Sequence, residues 1–535
     1  MMNTLTLRNP SFFRPSSRPT SPAPTAPRPD TSAPLERAAR PHHKLSLNTF
    51  RRASPAPSPA PSMTPVTLVQ DGSYLESLSL KLSEAVSKAL AAPTGPSTAT
   101  DLVGGKRPVP AGRGRALGAL IASELVATRD KGHVHRAMIR CLHRPLSVLL
   151  NNLSAHLLPI ISAPAFLVPP APTPQAPNPN PTQLHALALA GFAGELLETF
   201  DELSLGMDAD PRGDGLKVVR DGLVSLIGRV VNPLVGAIKT ELIPLIADLE
   251  KPTSVNGAVH KTTAGPKIVV IQHPSMVTLQ AMMPIYAKAL ARYNISSTSQ
   301  ATLASLLISL LWRSLMALSH RPQQPASRPN TPGPHPNVTV PPKRRDTGPS
   351  SGHTTPPAGR FSIKLPPSRP PSPPSVPVAS STAADARTLH DLLSLFPRPI
   401  ASNKLACEAV DEAFDGLKAL AALLEHTQSN VCMKIAPSVD DQQAELEVLT
   451  ADLPTLIALP VLLRAHVTPF QPVSTILGLS EEEYRKGCLP GFSRAEDCAA
   501  VVGQRVLDAL ASQTPSSDAQ IVIKWLESEI AAADD

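Results

Sequence analysis

The stretch SNKLACEAVDEAFDGLKALAALLEHT, Ser402 to Thr427, decides the fold class. Val410, Phe414, Leu417, Leu420 and Leu424 recur at steps of three and four, which places them on one face of an α-helix. Ser402 is suited to capping its start, because a serine hydroxyl accepts an orphan amide of the first turn.

The same period extends in both directions. Toward the C-terminus, capping boxes recur at Ser438…Asp441, Ser480…Glu483 and Ser493…Glu496, and a last helix spans 518–533 with Ile521, Ile523, Trp525, Leu526 and Ile530. The acidic run SEEEYRK reads as a first turn favoured by the helix dipole, not as a carboxylate pair for acid–base chemistry. Toward the N-terminus, SYLESLSLKLSEAVSKAL aligns Leu75, Leu78, Leu82, Val86 and Leu90, with Ser73 as the cap. Helix is expected over 116–158, with breaks near Gly132 and Pro145, and again in QLHALALAGFAGELLETFDELSL. Residues 216–250 read as two helices in series, Asn232 capping the second and Pro233 opening it. Helices over 274–293, bent at Pro284, and over 299–320 follow. The second is uncharged from Tyr293 to Arg313, and a helix apolar all round belongs at the centre of its domain. KIVVIQ, Lys267 to Gln272, is the one β-like run, and a lone strand makes no sheet. The fold class is therefore all-α, either a bundle or an irregular helical-repeat array; no fixed-period motif selects the array.

Proline sets the organisation. The chain has 535 residues and 62 prolines, and most of the prolines fall in 1–110, 164–181 and 321–380. Proline lacks the amide donor and fixes φ, so dense tracts sustain neither long helices nor central strands. The expected division is a disordered basic Pro/Ser-rich tail over 1–70 and a helical segment over 71–163 with a Pro-rich connector over 164–181. The helical remainder of the first module covers 182–320, a disordered basic linker 321–380, and an acidic helical module 381–535.

Charge divides along the same lines. Residues 1–70 and 321–380 each carry a net +7, equal to the net charge of the whole chain, whereas 381–535 carry −12. The basic character thus belongs to the proline tracts, and the acidic C-terminal part would repel phosphate. Five scattered cysteines without a CxxC suggest reduced thiols in a cytoplasmic or nuclear protein. No secretory signal is evident in 1–10, and the sequons at Asn152, Asn294 and Asn337 are then not glycosylated. Residues 1–29 hold four arginines and no acid, as a mitochondrial transit peptide would, but five prolines between 10 and 24 oppose the amphipathic helix such a peptide needs; import is the minor alternative. The charge-free run 145–194 is interrupted by Asn151, Asn152, His156, Pro159 and Pro164 and reads as a buried helix, not a membrane span.

No catalytic constellation stands out. GGKR, Gly104 to Arg107, lacks the Ser/Thr, the earlier glycine and the preceding strand of a phosphate loop. His133, His135, Cys141 and His143 are metal-capable, yet on one helix the last three fall at about 200°, 80° and 280° from the first and cannot converge. No GxSxG, HExxH or kinase set is present, so no cofactor, metal or catalytic residue is assigned.

The positive signals lie in the tracts. Ser54 and Thr347 each stand two residues beyond an arginine pair, as basophilic kinases favour, while Ser21, Ser54, Ser58, Thr64, Thr331, Thr355 and Ser372 each precede proline. A phosphate there removes nearly two units of positive charge and adds acceptor oxygens. Lys364, Pro367 and Pro370 form a basic PxxP motif suited to an SH3-type groove. Lys343, Arg344 and Arg345 form a short import-type cluster. The expectation is a non-enzymatic intracellular scaffold, its helical modules binding other proteins and its tails tuned by kinases. Non-specific nucleic-acid contact through the tails in a nuclear regulator, and an enzyme with an unrecognised site, are the alternatives. No membrane partner is expected, and oligomeric state is left open.

Overall fold

The computed structural model describes residues 66–91, 107–169, 171–207, 215–252, 270–322, 378–379, 381–400, 403–430, 439–512 and 517–534. Residues 65–535 form one compact unit; the other unit, 1–64, contains no described residue. The described residues are all-α apart from one two-residue bridge. Ahead of the bridge come α1 (Val66–Leu90), α2 (Arg113–Ala127), α3 (Gly132–Ile161), α4 (Pro164–Leu167), α5 (Pro181–Glu202) and α6 (Leu216–Ala247), the last closing in a 3-10 turn at Asp248–Glu250. Then follow β1 (Val270–Ile271), α7 (Pro274–Tyr293), α8 (Ser297–His320), β2 (Val378–Ala379), α9 (Thr382–Leu393) and α10 (Lys404–Asn430). The chain ends in α11 (Val439–Thr450), α12 (Thr455–His466), α13 (Val473–Ile476), α14 (Glu481–Cys488), α15 (Phe492–Ala511) and α16 (Ser517–Asp534). β1 and β2 pair in parallel, Val270 opposite Val378 and Ile271 opposite Ala379, so part of KIVVIQ does find a strand partner.

The apolar stripes behave as their spacing requires. Val410, Phe414, Leu417, Leu420 and Leu424 are all buried on α10. Ser402 lies outside the described residues, and the Asn403 Oδ1 accepts the Ala406 amide at 3.3 Å in the capping role. Ser480 and Glu483 form the expected capping box at α14. Ser493 does not: α15 begins at Phe492 with Gly491 before it and no side-chain cap. Ser438 lies outside the described residues. Ser73 is inside α1, because the helix already starts at Val66.

Two proline expectations are overturned. α3 continues through Pro145 and α6 continues through Pro233 and Pro244. A proline costs its helix one hydrogen bond and crowds a carbonyl. Here Val230, Val231, Leu234, Val235 and Ile238 make one unbroken buried stripe across Pro233, and burial of that stripe outweighs the local break. Asn232 accordingly caps nothing; its Oδ1 accepts from the Thr302 hydroxyl of α8 at 3.1 Å.

α8 lies at the centre, as its lack of charge implied. It packs against α6 on one side and against α9, α10 and α12 on the other, so the helices preceding residue 323 and those following residue 377 share one core. Trp312 of α8 donates its Nε1–H to the Leu489 carbonyl at 3.0 Å, and its ring lies 4.7 Å from that of Phe492. α6 and α8 are long and apolar enough to cross a membrane by length and composition; in this fold each is the other's main packing partner.

Long-range polar contacts complete the assembly. The Glu195 carboxylate of α5 accepts the amides of Gly112, Gly114 and Arg115, capping α2 from 80 or more positions away. That approach is close, since a Cβ at Gly114 would stand 2.3 Å from the Phe192 carbonyl and one at Gly118 2.0 Å from Thr199 Oγ1. Arg485 of α14 donates to both oxygens of Glu250 at 2.5 and 2.9 Å and to Glu481 at 2.6 Å, joining α14 to the turn after α6. These partners hold its guanidinium above its ordinary pKa.

Candidate functional site

Every site read from the tracts lies outside the described residues: Ser21, Ser54, Ser58, Thr64, Thr331, Thr347, Thr355 and Ser372, the PxxP residues Lys364, Pro367 and Pro370, and the basic cluster Lys343, Arg344 and Arg345. What the structure adds is the base from which the linker is carried.

That base is a buried clasp. Arg321, one residue beyond α8, donates its Nη1–H to Asp385 Oδ2 at 2.5 Å; Asp385 sits in the first turn of α9. The two side chains are 4% and 1% exposed. Ser381 caps α9 by accepting the Ala384 amide at 3.1 Å, which sets Asp385 one turn into the helix. The β1–β2 bridge is bound to the re-entering chain at Val378 and Ala379. Residues 323–377 therefore leave and return at one place.

A second excursion shares this base. Residues 253–269 depart after Pro252 and return at Val270 in β1. His273, 4% exposed, starts α7 by accepting the Ser275 amide on Nδ1 at 3.2 Å. Burial, and then the Arg321 charge, push its pKa below 6.5, against the pull of Asp385 and Asp248. Asp248 in turn accepts from Lys251 Nζ at 2.7 Å.

Between α9 and α10 lies an open cavity of about 340 Å³ lined by Arg387, His390, Asp391, Lys418, Ala421 and Ala422. Arg387 pairs with Glu425 at its rim, and the His390 ring meets Phe414 edge-on at 5.7 Å. The exposed face of α10 carries Glu408, Asp411, Glu412 and Asp415. Lys404 and Arg398 pair with the first two, and the Arg398 guanidinium also lies 4.1 Å above the Phe414 ring. This face presents net negative charge at the N-terminal half of α10, beside the chain that leaves α9, while Glu425 at the other end of α10 pairs with Arg387 near the start of α9.

The remaining sequence candidates stay apart. His133 is exposed, His135 faces Thr128 Oγ1 at 3.4 Å, and His143 lies against Gly215. Among the described residues no three His, Cys, Asp or Glu side chains form a group that could hold a metal. Of GGKR only Arg107 is described. Sequence reasoning missed the clasp, and the only available signal was an arginine ending one helix and an aspartate opening another. No family model, curated protein or solved structure matches this chain.

Proposed function

We propose that this protein is a non-enzymatic intracellular scaffold whose helical body holds the basic, proline-rich segment 323–377 for modification and for contact with partner proteins. The observation that supports the reading is the Arg321–Asp385 clasp, which ties both ends of that segment to a single buried point. The segment is then a handle carried by one body. Its positive charge, borne largely by Lys343, Arg344, Arg345, Lys364 and Arg369, is opposite in sign to the acidic face of α10, and the attraction between them weakens as salt rises. Phosphates on Thr331, Thr347, Thr355 and Ser372 would cancel most of that charge and release the segment to its partners.

The test compares the full chain, a variant with glutamate at those four positions, and a variant with 323–377 replaced by a Gly/Ser chain of equal length. Partner capture is quantified by mass spectrometry across a salt series. The scaffold reading requires the glutamate variant to shift both capture and its salt dependence, and the Gly/Ser variant to lose the linker-dependent partners. Identical profiles for all three would end it.

A further inference from the structure

The end of α14 and the second turn of α15 bring two cysteines together. Cys488 closes α14, and Cys498 lies on α15 after the connection Leu489–Gly491. The Gly487 carbonyl anchors the turn: it accepts Arg494 Nε–H at 3.0 Å and Cys498 Sγ–H at 4.0 Å. The Cys498 sulfur thus stands against the backbone of the residue that precedes Cys488, and both thiols pack at the edge of the core while remaining partly exposed. Two cysteines become bonded after side-chain rotations alone where the backbone already holds the residues near each other, as the turn at Gly487 does here. Leu489 and Phe492, the two residues that hold Trp312, lie between them.

We propose that Cys488 and Cys498 are a reversible oxidation site, a dithiol that closes to an intrachain disulfide by exchange with a low-molecular-weight disulfide. Cys498 loses its proton and attacks one sulfur of the small disulfide; that S–S bond breaks, and the departing thiolate takes up the proton. Cys488 then loses its proton and attacks the Cys498 sulfur of the mixed disulfide, expelling the second small thiol. The cysteine pair gives up two electrons and two protons, and one small disulfide becomes two thiols.

The surroundings set the order. Burial pushes the Cys488 thiol up to about 11, so it stays protonated and reacts second, while the Arg494 guanidinium beside it opposes that rise and favours its thiolate once the mixed disulfide has formed. The closed ring would contain Leu489 and Phe492 and so fasten α14 and α15 to Trp312 of α8.

The test uses the full chain, equilibrated with glutathione couples from reducing to oxidising, blocked with N-ethylmaleimide and digested with trypsin. Cleavage after Lys486, Arg494 and Arg505 places one cysteine in peptide 487–494 and the other in 495–505. The proposal requires the joined pair, short of two hydrogens, to become the main product as oxidised glutathione rises and to disappear with dithiothreitol. Separate glutathione adducts, or both cysteines still alkylated at the oxidising end, would overturn it. Cys488→Ser supplies a second measurement: with no resolving thiol, the Cys498 adduct should persist at a roughly tenfold higher level than in the parent chain. Equal adduct levels in the two proteins would also overturn it.

Discussion

Arg321 and Asp385, 64 positions apart, meet at 2.5 Å with side chains 4% and 1% exposed. Removing one charge from such a pair leaves the other buried without this counter-charge, at a cost of about 3–5 kcal/mol. Asp385→Ala should therefore lower the urea midpoint strongly. The double change Arg321→Met with Asp385→Leu should recover most of the loss, because neither charge is then stranded. A double variant no more stable than the single one would show that the site tolerates no apolar filling.

Trp312 tests the attachment of the C-terminal helices. Trp312→Phe keeps an aromatic ring against Phe492 but removes the donor to Leu489, whose carbonyl is then left without its indole partner. The expected cost is about 1–3 kcal/mol by denaturant unfolding.

Two glycines should respond oppositely to the same substitution. A Cβ at Gly118 would stand 2.0 Å from Thr199 Oγ1, so Gly118→Ala forces α2 away from α5 and should cost about 1–3 kcal/mol. A Cβ at Gly191, inside α5, meets nothing within 4 Å, so Gly191→Ala should stabilise by about 1 kcal/mol through helix propensity. Thermal unfolding of the two variants reads both signs.

Acid should weaken the fold through its histidines. Burial first, with nearby cations, holds His273 and His320 below 6.5, and burial lowers His466 as well. Each binds a proton less readily when folded than when unfolded, so the unfolded chain takes up more protons as pH falls through 6.5. Stability is then constant above that value and declines below it. The urea midpoint at pH 5.5 should fall below that at pH 7.5, and His466→Leu, whose Nε2 is buried without a partner, should reduce the difference.

Phosphorylation of the linker gives a test of the proposed charge switch. Glutamate at Thr331, Thr347, Thr355 and Ser372 should leave the thermal midpoint unchanged while altering the salt dependence of partner capture.

The apolar period made the helices legible, because Val410 to Leu424 on α10 and Leu303 to Leu318 on α8 are buried as their spacing dictates. Proline misled where packing was strong: Pro145 and Pro233 are interior to α3 and α6, and the stripe that overrides them is a tertiary property. Glu195 capping α2, Arg485 bridging to Glu250 and Arg321 meeting Asp385 all join residues from separate helices. A single chain offers no local pattern for such pairs, whose geometry exists only once the core has formed. The Cys488–Cys498 pair was hidden for another reason: ten positions separate the two residues, and only the turn at Gly487 brings Cys498 against the backbone beside Cys488.

A chain whose two ends are stapled at one point is free to vary in length between them. Wherever a chain between fixed ends is flexible, doubling its residue number adds only about 0.6 kcal/mol of closure entropy. The excursions that start after Pro252 and Pro322 and end at Val270 and Val378 are therefore places where insertions and deletions can accumulate across generations with little consequence for the helical core, provided the arginine and aspartate at the staple are kept.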